Sequence, residues 1–144
     1  DEDKIVRTRD PIELNRCEYV CDVGGVYDPD SKLFDHHQVE YAGRLSSAGM
    51  ILLYLKEQGI INESEYQMFN NHIIIGVDDH DNGLDPQILG VTTYSHVINN
   101  FTPIHYDASP EEQDAAFHEA LQFVKGHLRR MWDRYLYTFS CKEI

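Results

Sequence analysis

Over its first third the chain alternates short apolar bursts with polar turns. It then settles into helical spacing. Ile5-Val6-Arg7-Thr8 predicts a short strand. Asp10-Pro11 predicts a brief helix to about Arg16, with Asp10 as N-cap and Pro11 where its missing N–H costs nothing. Glu18 to Val23 predicts a second strand, whose run Tyr19-Val20-Cys21 delivers Asp22 to a sharp turn at Gly24-Gly25. Strand, helix and strand in that order predict a parallel sheet with a right-handed crossover. Tyr27 to Ser31 reads as a turn, and Lys32-Leu33-Phe34 as a short strand running into Asp35-His36-His37.

From there the period becomes helical. Ser46 or Ser47 caps a helix with apolar Met50, Ile51, Leu53 and Tyr54, which runs to about Gln58 and stops at Gly59. A second helix follows a cap at Asn62 or Ser64, and its Tyr66, Phe69, Ile73, Ile74 and Val77 face the core. That helix ends in Asp78, Asp79 and Asp81, where acids oppose the macrodipole at about 0.3–1 kcal/mol each when exposed. A local cost without local benefit points to a nearby cation; the alternative is that Asn82-Gly83 ends the helix and the acids are simply solvated. Thr92 to Phe101 predicts a short helix and residues 102–109 a loop. Ser109-Pro110-Glu111-Glu112 opens a long helix with an apolar stripe from Phe117 to Leu136.

Composition narrows the function. At 144 residues and 42% hydrophobic, the chain supports one domain or a piece of one. No apolar run is long enough to span a bilayer. Three cysteines are too few and too oddly spaced for a disulfide framework, so reduced thiols and an intracellular setting are expected: cytoplasmic in a bacterium, nuclear or mitochondrial in a eukaryote. The net charge of −13, with no Lys or Arg between Lys56 and Lys125, excludes non-specific nucleic-acid binding over the whole surface. A polyanionic substrate would have to meet a local patch, a bound cation or another domain.

The candidate chemistry lies in three clusters: Asp22 at its strand end, Asp35-His36-His37, and Asp78-Asp79-His80-Asp81. Carboxylate oxygen with neutral imidazole suits borderline divalent ions. Asp35 is expected to orient the histidines by hydrogen bonding. If the second helix continues through residue 81, Asp78 and Asp81 lie on one face, so spacing does not choose between them. Ser46 and Ser47 at a helix start could hold a phosphate, and capping explains them as well.

Five ordered motifs, Val6-Arg7-Thr8-Arg9-Asp10, Asp22-Val23-Gly24-Gly25-Val26-Tyr27-Asp28-Pro29, Asp35-His36-His37-Gln38, Leu45-Ser46-Ser47-Ala48-Gly49 and Asp81-Asn82-Gly83, resemble the MYG1 family (UPF0160) of the DHH phosphoesterase superfamily. The resemblance implies an α/β fold, a parallel sheet flanked by helices. It also implies a metal-dependent phosphodiesterase, a 3′–5′ exonuclease on RNA or DNA using two metal ions. Carried over by position, Asp22 bridges the metals, His36 ligates the second, His37 is the acid or phosphate ligand with Asp35 behind it, and Asp78 completes the second metal. Asp81 is the rival of Asp78, and His80 is an addition that serves as ligand or as support. Mn²⁺ is the expected cofactor, with Mg²⁺, Co²⁺ or Zn²⁺ as alternatives.

The resemblance also implies a metal motif before Asp1 and a C-terminal domain beyond the long helix. The chain is therefore expected to be an internal piece: residues 1–109 a metal-binding core, residues 110–144 a helix leading onward. Where relatives carry Ser-Ser-Arg-Val, this chain has Tyr94-Ser95-His96-Val97 and lacks that arginine. Two further expectations stand beside the nuclease: hydrolysis of a small phosphoester or pyrophosphate, and a non-catalytic metal-binding module. Nucleic acid or a small phosphoester is the expected partner, without a membrane, and a homo-oligomer is left open.

Overall fold

The computed structural model describes residues 4–141. They form two compact units divided between Gln87 and Ile88. The architecture is α/β.

In the first unit, α1 (Pro11–Leu14) is a single turn started by Asp10, whose carboxylate accepts from the Ile12 N–H at 2.9 Å. Three two-residue strands follow: β1 (Val20–Cys21), β2 (Tyr27–Asp28) and β3 (Leu33–Phe34). Their order is β1-β3-β2. β1 runs parallel to β3 (Val20 beside Leu33, Cys21 beside Phe34), and β2 runs antiparallel to it (Tyr27 beside Phe34). The sheet is mixed, which corrects the expected parallel one. Two residues account for the difference. Asp28 accepts from the Ser31 hydroxyl at 2.6 Å, and Lys32 takes the left-handed backbone (φ 59°), so the chain reverses within four residues. A connection that short joins only antiparallel strands. The expected strand at residues 5–8 is irregular chain, so the predicted crossover does not form.

Phe34 in the middle of the sheet is fully buried. It packs with Met50 and Tyr54 of α2 (Ser47–Glu57), and Tyr27, Tyr41 and Leu45 close around them. Phe34 and Tyr54 meet edge to face at 5.1 Å between ring centres. Ser46 is the N-cap, and the chain leaves α2 through Gly59 at φ 68°. Leu52, rather than Leu53 of the expected stripe, is buried.

The next helical run has an Asn62–Glu65 capping box and three parts: α3 (Glu63–Phe69), a π-helical turn (Asn70–Ile74) and α4 (Ile75–Asp81). The periodicity predicts one uninterrupted helix. The π turn admits an extra residue and shifts the phase of everything after it. α4 closes with a Schellman motif: the Leu84 N–H bonds the Asp79 carbonyl at 2.8 Å and the Gly83 N–H bonds that of His80 at 3.0 Å, with Gly83 at φ 69°.

In the second unit, α5 (Tyr94–Asn99) is capped by Thr93. α6 (Pro110–Ser140) starts at a Ser109–Glu112 capping box. Tyr94 packs against Phe123 and His127, with ring centres 6.4 and 4.9 Å away. Among the described residues no helix is long and apolar enough to cross a membrane, and all three cysteines are free thiols.

Candidate metal centre

The sheet places two of the clusters. Asp22 directly follows β1, and its N–H donates to the Phe34 carbonyl at 2.9 Å. Its backbone is left-handed at φ 63°, a conformation that costs a non-glycine residue on the order of 1–3 kcal/mol and collects at functional sites. That turn keeps its carboxylate exposed, with Oδ1 accepting from the Ser47 hydroxyl at 3.2 Å. Asp35 directly follows β3 and is 2% exposed. Its Oδ2 accepts from the Gly25 N–H at 2.6 Å. Its Oδ1 accepts from the His37 N–H at 3.1 Å and meets His37 Nδ1 at 2.6 Å. The adjacent glycines thus bring a bare N–H onto a buried carboxylate.

Burial pushes the Asp35 carboxyl upward, but the hydrogen bonds from His37 and Gly25 outweigh it, and its pKa falls below the usual value. The same contact raises His37: the hydrogen bond to Asp35 acts first, burial opposes it, and the charges of Asp35, Asp22 and Asp81 add to the rise. With Nδ1 turned to Asp35, His37 is an oriented ring that holds its proton readily.

His36 does something different. Its Nε2 lies 3.8 Å from Asp22 Oδ1 and 3.3 Å from Asp81 Oδ2, yet this buried nitrogen makes no hydrogen bond. Asp22, His36 and His37 each present a ligand atom, all within 4.8 Å of one another. Donors bound at about 2 Å from one ion stand up to about 4 Å apart, so the spacings of His36 from Asp22 and from Asp81 are each within the span of two donors on one divalent cation. An unpartnered buried ring nitrogen facing two carboxylates has the donor chemistry such an ion takes.

Asp78 and Asp81 share a face of α4, and the fold separates their surroundings. Asp78 is 7% exposed, and its Oδ1 accepts from both the N–H and the hydroxyl of Ser46 at 2.9 and 2.6 Å. Burial raises its pKa, the Ser46 bonds pull against that, and the charges of Asp79 and Asp81 push with it. Asp81 is the acid beside His36. Ser46 is turned onto Asp78 and Ser47 onto Asp22, so both serines named for phosphate serve carboxylates here. His80 pairs through Nδ1 with Asp85.

Two residues carry geometric roles that their positions in the sequence did not announce. Gly49 lies against Asp78, and a Cβ there would stand 2.5 Å from its Oδ1. Asn82 donates to the Arg44 carbonyl at 2.9 Å and the Asp78 carbonyl at 2.7 Å, tying the end of α4 to the segment before α2. Both lie in motifs singled out from the sequence, Leu45-Ser46-Ser47-Ala48-Gly49 and Asp81-Asn82-Gly83, but nothing in those motifs says what either residue touches.

A family model described as an uncharacterised protein family (UPF0160) matches residues 1–142. The MYG1 protein of Chlamydia pneumoniae is 46% identical over the whole chain, and that of Chlamydia trachomatis is 43% identical; the match covers 49% of each relative. The MYG1 exonuclease of Bos taurus is 30% identical over 93% of this chain and 43% of its own length. The chain thus spans about half the length of the curated relatives it matches. No solved structure matches.

Proposed function

The chain belongs to the UPF0160 family that the MYG1 motifs indicated, and we propose that it carries part of the active site of a metal-dependent phosphodiesterase, a 3′–5′ exonuclease on RNA or DNA. The observation that carries this reading is the buried, unbonded Nε2 of His36 between the carboxylates of Asp22 and Asp81. Relatives named as exonucleases support the choice of substrate.

In this reading Asp22 and His36 would hold a divalent ion of the Mn²⁺ type, with Asp81 beside His36 as a further candidate ligand, and Ser47 orients Asp22. Such an ion, when bound, supplies positive charge toward the phosphate oxygens. Asp35 fixes His37, which keeps a proton at hand for the leaving oxygen. Asp78 supports the site by holding Ser46 at the start of α2.

The test is turnover of single-stranded oligonucleotides by the intact protein with Mn²⁺. Loss of turnover in Asp22→Ala and His36→Ala is expected; full turnover in the double variant would sink the assignment. The net charge of −13 favours a second reading, hydrolysis of a small phosphoester or pyrophosphate. Comparing turnover of oligonucleotides, dinucleotides and pyrophosphate separates the two.

A further inference from the structure

Helix α6 has no buried residue along its 31 positions. At about 1.5 Å per residue it is roughly 46 Å long, whereas the six residues of α5 span roughly 9 Å. Tyr94 of α5 and the nearby Phe101 rest on Phe123 and His127. The neighbouring face of α6 carries Phe117, Leu121, Val124, Leu128, Met131 and Tyr135. Their spacing alternates four and three, the repeat of about 3.5 residues by which one helix winds around another. None of the six is buried, and Phe117 is 38% exposed. A helix draws most of its stability from packing an apolar face, so a stripe of this length calls for a second helix against it.

Charge along α6 is split. Glu111, Glu112, Asp114 and Glu119 lie in its first third. Lys125, Arg129, Arg130 and Arg134 follow, with Asp133 the one acid among them. Arg130 and Arg134 make no ion pair among the described residues.

We propose that this face pairs with the same face of a second copy of the chain, the two α6 helices running antiparallel. An antiparallel copy sets the acidic start of each helix against the basic stretch of the other. A parallel copy would set acid against acid and base against base. Centred between Gln122 and Phe123, the pairing places Phe117 of one copy beside Leu128 of the other and Leu121 beside Val124, with Glu111 level with Arg134. A two-fold interface of this kind is self-complementary, so each of these contacts occurs twice. The inference goes beyond the nuclease reading and does not depend on it.

The experiment is sedimentation equilibrium of the intact protein over a concentration series, with no added metal. A dimer is expected. Glu111→Lys with Glu119→Lys should weaken it about tenfold or more, as should Arg130→Glu with Arg134→Glu. All four positions are exposed, so the circular dichroism spectrum should be retained. Mixing the two charge-reversed proteins should restore a dimer containing one of each. With the cysteines replaced by serine, spin labels placed at Gln122 should lie close together, and labels at Ser140 about 50 Å apart along the axis. The inference is overturned if the intact protein stays monomeric, as it would if the rest of the longer protein covers this face. It is also overturned if neither charge reversal weakens the dimer, if mixing restores nothing, or if the two label positions give equal distances, as in a parallel pair.

Discussion

The two units differ in how they use their side chains. Between Lys4 and Gln87 no regular element exceeds the 11 residues of α2, and the three strands have two residues each, yet the unit buries Phe34, Met50, Tyr54 and the charged Asp35 and Asp78. Beyond Gln87 a helix of 31 residues buries none of its own, and its apolar stripe is half-covered at Leu121, Val124, Leu128 and Met131. The first unit is held by contacts distant in sequence and stores cost in a left-handed Asp22 and buried carboxylates. The second is held largely by local hydrogen bonds and a repeating stripe. The candidate site lies where contacts are non-local, because bringing Asp22 and Asp81 to His36 requires three separate segments to be fixed at once.

The comparison can be broken most sharply at Phe34. Phe34→Ala empties the centre of the first unit and should cost about 3–5 kcal/mol in denaturant unfolding, and it should take Mn²⁺ binding with it because Asp35 and His36 follow directly. Mn²⁺ affinity unchanged by this variant would mean that the site does not depend on that core. Next in size, Asp22→Ala combined with His36→Ala should lower Mn²⁺ affinity at least about a hundredfold by calorimetry, with the circular dichroism spectrum retained.

Gly49→Ala should destabilise by about 1–3 kcal/mol, because its methyl would stand 2.5 Å from Asp78 Oδ1. A neutral result would show that Asp78 moves aside freely and that its bonds to Ser46 are dispensable. The smallest effect belongs to the second unit: Ser109→Ala removes a capping box from α6 and should cost about 1 kcal/mol in thermal unfolding. Mn²⁺ affinity, read on the same sample, should not move.

What the sequence by itself determined is whatever depends on neighbours a few residues apart. Asp10 and Ser109 act as caps where the spacing put them, Ser46 and Asn62 are the members of their two-residue choices that cap, Gly59 and Gly83 end helices, and Asp35 holds the histidine two positions on. The strand ends that carry Asp22 and Asp35 were also legible, from an apolar run followed by an acid.

Only the tertiary structure decided strand direction, helix phase and which acid meets which base. The Asp28–Ser31 reversal makes the sheet mixed, and residues 5–8 find no strand partner. The π turn resets the face of α4 beyond any fixed period. Asp78 and Asp81 are equivalent by spacing, and Ser46 separates them by occupying one across 32 positions of chain. Hydrogen bonds between segments so far apart leave no period in a linear pattern, since only the folded chain brings their partners together.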